Sequence, residues 1–204
     1  MASFNHGAYS SEKSTSLVSP ITASAGLQVY IGTAPVHLAS DPYATVGKPI
    51  VCYDFASCEQ QLGYSENFKE FTLCEAMDFN FRVFNNAPVI FINVLDPSNT
   101  SHTKKNAEES IQVSADGVAV YSKKYVLLDT LTVKSGSKTL ERWTDYVAEF
   151  SDGGALSISL LTDIPSDNTL KVSSTSLDPQ AVNANDVVGG YNAKTGVETG
   201  IELV

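Results

Sequence analysis

The hydrophobic pattern changes character along the chain. Between residues 26 and 96 the apolar positions form short continuous runs and one helical stripe, whereas between 103 and 175 they mostly alternate with polar ones. Residues 27–31 and 49–53 are runs of the first kind. Residues 88–96, PVIFINVLD, form a longer β-branched run of the sort found in a strand covered on both faces. Between the second and third runs, Asp54 is placed to cap a helix over FASCEQQL, and Gly63 sits where a helix end takes a left-handed residue. Thr72-Leu-Cys-Glu75 has the T-x-x-E form of a capping box. It predicts a helix running to about Asn85 that buries Leu73, Met77, Phe81 and Phe84 and ends at Asn86-Ala-Pro88. Strand, helix, helix, strand makes residues 26–100 a mixed α/β layer.

The alternating half predicts strands and turns. Residues 146–150 and 156–160 flank Asp152-Gly-Gly154 as a hairpin. Ile111-Gln-Val113 and Val118-Ala-Val120 lie either side of Asp116-Gly117, with Leu131-Thr-Val133 and Leu170-Lys-Val172 further on. Short strands with regular turns predict an antiparallel β-sandwich or barrel over residues 101–180, set into the α/β layer as a separable folding unit. Asn99-Thr-Ser101 reads as a polar interdomain loop, and the pairs Lys104-Lys105 and Glu108-Glu109 that follow it as a solvated linker. Residues 181–204 return to the first layer: Asn183 or Asn185 caps a short helix, Gly189-Gly190 stops it, and a spacing of Val197, Ile201 and Val204 breaks off as the start of a further element. Residues 1–25, rich in Ser and Thr, place Phe4, Tyr9, Leu17 and Val18 at no helical or strand period and predict an extended arm. The fold class expected is α+β.

Thirteen Lys and Arg against 23 Asp and Glu give a formal charge of -10 with the cations scattered, which speaks against nonspecific binding to nucleic acid or an anionic membrane. No run is long enough to insert in a bilayer, and the first residues lack a secretion pattern. The three cysteines, Cys52, Cys58 and Cys74, have no CxxC spacing and read as reduced, partly buried small hydrophobes in a cytoplasmic setting.

Candidate chemistry is sparse. Gly32-Thr-Ala-Pro35 follows a strand as a phosphate loop does, but it lacks the Lys of that motif, and Pro35 has no amide proton to donate. A cysteine nucleophile needs a histidine, and His6, His37 and His102 lie in loops or the arm. Neither zinc spacing nor a full calcium loop is present. No catalytic, cofactor or metal site is expected.

One resemblance decides among these readings. FNHGAYSSEKSTSLVSP, GLQVYIGTAPVHLASDP, GKPIVCYDFASCEQQLGY, FTLCEAMDFNFRVFNNAPVIFINVLDP and GIELV follow one another as they do in tail sheath proteins of contractile bacteriophages and phage-tail-like particles, which the chain resembles over nearly its whole length. The resemblance implies that Gly32 to Val36 belong to a scaffold strand and that a β-sandwich is inserted near residues 103–180. It also implies that residues 181–204 lead into a subtilisin-like-fold domain whose start is cut. The function it implies is a mechanical one: homo-oligomers of the subunit surround a tail tube protein in the virion, after a stay in the bacterial cytoplasm, and contract without nucleotide or active site. The arm residues Phe4, Tyr9, Leu17 and Val18 would add a strand to a neighbouring subunit, and the chain alone is expected to be monomeric. The alternative is a carbohydrate- or protein-binding β-module on an α/β carrier, with Tyr125, Trp143 and Tyr146 as an exposed aromatic cluster.

Overall fold

The computed structural model describes residues 26–151, 153–192 and 197–203. The arm positions Phe4, Tyr9, Leu17 and Val18, together with His6, Asp152 and Val204, lie outside the described residues. The rest is a mixed α/β structure with several antiparallel sheets.

The first half holds β1 (Gln28–Gly32), β2 (Pro49–Cys52), α1 (Phe55–Leu62), α2 (Thr72–Met77) and β3 (Val89–Asn93). The strand order is β1-β3-β2, with β1 parallel and β2 antiparallel to the central β3. Pairing in register puts Tyr30, Ile50, Cys52, Val89 and Phe91 on one face, where they meet Cys58, Leu62, Leu73 and Met77 of the two helices in one hydrophobic cluster. The α1 boundaries follow local chemistry: Asp54 Oδ1 accepts the Ser57 amide at 2.8 Å, and Gly63, at φ +74°, donates its amide to Glu59 O at 2.8 Å.

Two expectations for α2 fail. No capping box forms between Thr72 and Glu75, because Phe71 occupies the cap position without a side-chain hydrogen bond. The acceptors come instead from the end of β1: Thr33 Oγ1 takes the Thr72 amide at 3.1 Å and Thr33 O takes the Leu73 amide at 3.0 Å. In return Thr72 Oγ1 accepts the Thr33 amide at 3.1 Å, and Thr33 Oγ1 donates to Glu70 O at 2.7 Å. Burial of the stripe also stops short of Phe84. The helix widens into a π turn, Asp78–Val83, which displaces Phe84 from the line of Leu73 and Met77. Asn80 is buried in its place, while Phe84 is 61% exposed and meets Phe79 at a tilt, with ring centroids 4.4 Å apart.

The second half contains β4 (Thr103–Gln112), β5 (Val118–Tyr121), β6 (Thr132–Ser135), β7 (Lys138–Thr139), β8 (Tyr146–Phe150), β9 (Leu156–Leu160) and β10 (Thr169–Leu177). They form two antiparallel sheets, β4-β10-β6-β7 and β5-β9-β8, that share a second hydrophobic cluster containing Tyr121, Val133, Tyr146, Ile158 and Val172. The hairpin expected at 146–160 is the β8–β9 pair. The linker reading of Lys104, Lys105, Glu108 and Glu109 is overturned: all four lie on β4, paired along its length with β10. Charged side chains suit it as the outer strand of its sheet, since they discourage pairing with another edge. Lys134 Nζ lies 2.8 Å from Glu108, holding that carboxyl below its ordinary range.

Beyond β10 come a 3-10 turn, Pro179–Ala181, then α3 (Ala184–Val188) and a hairpin of β11 (Gly189–Asn192) and β12 (Val197–Gly200). Here a capping box does form: the Asn183 amide reaches Asp186 Oδ2 at 2.8 Å, and Gly189 ends the helix at φ +66°.

The Thr33–Thr72 clasp yields a stability test. A Cβ on Gly32 would run into Thr72 Oγ1. Gly32→Ala is therefore expected to lower the urea-unfolding free energy by about 2 kcal/mol or more, and Thr33→Val, which leaves the Thr72 amide and the Glu70 carbonyl without their Thr33 Oγ1 partner, by about 1–3 kcal/mol. Thr33→Ser restores most of the latter; a neutral Thr33→Val would show that the clasp adds nothing.

Candidate functional site

The two hydrophobic clusters meet along a seam that no local motif marks. From the first half, His37 on the 3-10 turn Val36–Leu38 and Phe71 before α2 come forward; from the second come Tyr125, between β5 and β6, and Phe150 at the end of β8. The His37 ring lies 5.9 Å from Phe71, 5.4 Å from Tyr125 and 5.5 Å from Phe150, centroid to centroid, and Tyr125 meets Phe71 edge-on at 5.1 Å. Such tilted and T-shaped pairs add to the burial of the rings themselves. Leu127 and Leu177, from the β-rich half, complete the first cluster.

A polar clamp lies beside the rings. The Tyr125 hydroxyl donates to Glu70 Oε2 and accepts Asn67 Nδ2 at 3.2 Å, and Asn67 also donates to Glu70 at 3.0 Å. Gln180 reaches the other Glu70 oxygen at 3.4 Å, and Tyr43 on the first half donates to Asp129 on the second at 2.7 Å. Burial, then the Glu70 hydrogen bond, raise the Tyr125 pKa. Tyr125 holds φ +57°, a left-handed conformation that costs a residue with a Cβ about 1–2 kcal/mol. Contacts across the seam hold it there.

His37 is 7% exposed, and its Nδ1 is buried with no hydrogen-bond partner. Burial pulls its pKa down to about 3, so the imidazole is neutral at neutral pH. His102, 4% exposed, is held differently: Nδ1 accepts the Asp96 amide at 3.1 Å and Nε2 faces Asp186 Oδ2 at 3.5 Å, tying the loop after β3 to α3. Both histidines lie in turns, as expected, but both are packed inside.

The cysteines are free and fully buried. Burial raises the Cys74 thiol to about 12, and a hydrogen bond with Cys52 followed by burial pushes Cys58 up further still. Neutral thiols of this kind are poor nucleophiles. Among the described residues no group of three or more His, Cys, Asp or Glu is arranged to hold a metal ion.

The aromatic cluster proposed for a binding module does not assemble. Tyr146 is 2% exposed inside the second cluster, Tyr125 is engaged in the seam, and only Trp143, 66% exposed, faces solvent. Clefts open at two places among the described residues. One, of about 1030 Å³, runs between the Val94–His102 region and the β11–β12 hairpin. The other, of about 500 Å³, opens at the seam and is lined by His37, Tyr64, Phe71, Tyr125 and Phe150, with Glu66 and Lys124 on its wall. Sequence reasoning missed this second cleft because its aromatic residues are brought together across as many as 113 positions, from His37 to Phe150.

Comparison with known proteins gives one informative match. Over all 204 residues the chain is 28% identical to the tail sheath protein of Burkholderia phage BcepMu, and it spans 40% of the length of that relative. No family model and no solved structure matches the chain. The match indicates a distant relation, and together with the sheet-rich fold it supports a structural or binding module.

The seam gives a pH test with a definite sign. Because His37 titrates near 3 in the fold and near 6.5 when unfolded, the unfolded chain binds the extra proton between those values. Its contribution to stability is complete above pH 6.5 and is lost as pH falls toward 3, at up to about 1.4 kcal/mol per pH unit. His37→Leu is expected to keep near-native stability at pH 7 and to remove this part of the acid slope in urea melts. An unchanged slope would show that His37 is solvated in the fold.

Proposed function

We propose that the chain is part of a structural subunit of a contractile tail sheath. In this reading many copies surround the tail tube in an extended state and rearrange to a shorter, wider one that drives the tube through a bacterial envelope. The observation that carries it is the end-to-end match of this chain to a tail sheath protein, with the quoted blocks in the order seen in that family. The physical features agree with a mechanical role. The strand-end Gly32-Thr33 is spent on gripping a helix, the thiols are buried, and His37 and His102 are packed inside. The work would come from interfaces exchanged between two packed arrangements, with no nucleotide and no bond chemistry.

The partners in this reading are other sheath subunits and the tail tube protein, with neither nucleic acid nor membrane insertion. The place is the virion tail, reached from the host cytoplasm. The inserted β-rich half and the N-terminal arm, with Phe4, Tyr9, Leu17 and Val18 as its linking residues, belong to the same proposal. The binding-module alternative loses its main support because Tyr146 is buried and Tyr125 is packed in the seam, so the two do not form one exposed cluster with Trp143.

Electron microscopy tests the proposal. Produced with the sequence that flanks it in its parent genome and concentrated, the protein is expected to form tubes or rings of constant width. Dispersed single molecules under all conditions would overturn the sheath reading.

A further inference from the structure

Trp143 stands at odds with the rest of the fold. It is the single tryptophan, it is 66% exposed, and it holds φ +70°, a conformation that a bulky residue rarely adopts. The turn around it is locked: the Trp143 amide donates to Tyr146 O at 2.7 Å, the Asp145 amide to Glu141 O at 2.8 Å, and the Glu141 amide to Asp145 Oδ2 at 2.9 Å. Arg142 stacks on the indole with Cζ 4.7 Å from the ring, and its Nε is buried without a hydrogen-bond partner. A strained backbone and an exposed large ring, with a cation stacked on it, coincide in a turn held by three hydrogen bonds. Such coincidences mark contact sites. Trp143 is two-thirds exposed and lines neither of these clefts; small ligands prefer concave sites, whereas an exposed Trp beside Arg is the composition of a protein-interface anchor.

A matching hole exists on the same molecule. The seam cleft has aromatic walls, from His37, Phe71, Tyr125 and Phe150, and the carboxylate-bearing Glu66 on its lining. Projection and hole lie at opposite ends of β8: Arg142 and Trp143 precede Tyr146, while Phe150 ends the strand at the cleft. We infer that Trp143 of one copy seats in the seam cleft of a second copy, with Arg142 of the first donating to Glu66 of the second. Two copies of a chain with net charge -10 repel overall, so a local Arg–Glu pairing is what makes self-contact at this point favourable. Because the two patches differ and lie at opposite ends of one strand, the contact is head-to-tail. It propagates into rings or open helical rows instead of closing as a dimer. This deepens the sheath reading, on which its biological sense rests.

Sedimentation velocity on the purified chain and two variants decides it. Trp143→Gly removes the projection and accepts the left-handed backbone, so its melting temperature is expected not to fall. Lys124→Trp, at an exposed cleft position, fills the hole. The wild type is expected to be monomeric when dilute and to grow in mass without a dimer plateau at sub-millimolar concentration, as a small transient interface does. Each variant alone stays monomeric, and an equal mixture of the two forms a dimer and stops there. A wild type that remains monomeric up to its solubility limit, a Trp143→Gly protein that associates like the wild type, or a mixture that stays monomeric would each overturn the contact. Tubes of native width from Trp143→Gly protein carrying its flanking sequence would keep the sheath reading and remove this contact from it.

Discussion

The fold depends on the junction of its two hydrophobic clusters. His37 and Phe71 on one side and Tyr125 and Phe150 on the other make three ring-on-ring contacts across it, with the Tyr125–Glu70–Asn67 clamp beside them. Without it, a three-stranded sheet with two short helices and a pair of small antiparallel sheets would be joined only by chain connections and peripheral contacts such as Tyr43–Asp129. Each half alone buries little surface, and small cores are marginal. Sharing Leu127 and Leu177 with the first cluster makes the β-rich half part of the core of the other. The left-handed Tyr125 and the unpaired His37 Nδ1 are costs that this packing offsets.

The clasp between Thr33 and Thr72 plays the corresponding role inside the α/β half. The orphan amides at the start of α2 must find acceptors, and the end of β1 supplies them from 39 residues away. The same contact accounts for the glycine at position 32, where strand and helix approach too closely for a side chain. A strand-end Gly-Thr that resembles a phosphate loop thus uses its hydrogen-bonding groups on its own helix.

What could be read from the sequence was what neighbours in sequence decide. Asp54 and Gly63 bound α1 because capping involves residues within one turn, and the 146–160 hairpin follows from alternation around a glycine turn. The capping box at Thr72 was outcompeted by the distant Thr33. Phe84 left the helical stripe because a π turn has a different period from the α-helix. Lys104 to Glu109 resembled a linker because a strand's charged outer face carries no alternating apolar signal, and its pairing partner lies about seventy residues later on β10. The aromatic cluster dissolved for the same reason: Tyr125 and Tyr146 are claimed by partners far away in the chain. The candidate site is non-local throughout, which is why the seam cleft escaped sequence reasoning.

The seam makes the two halves open together. Native-state amide hydrogen exchange at increasing urea measures this directly. The central strands, β3 in the first half and β9 in the second, are to be followed residue by residue. The amides of Ile90–Ile92 and of Ser157–Ser159 are expected to merge into one opening isotherm, and to separate in Tyr125→Ala. Separate isotherms for the two strands in the wild-type protein would contradict the account.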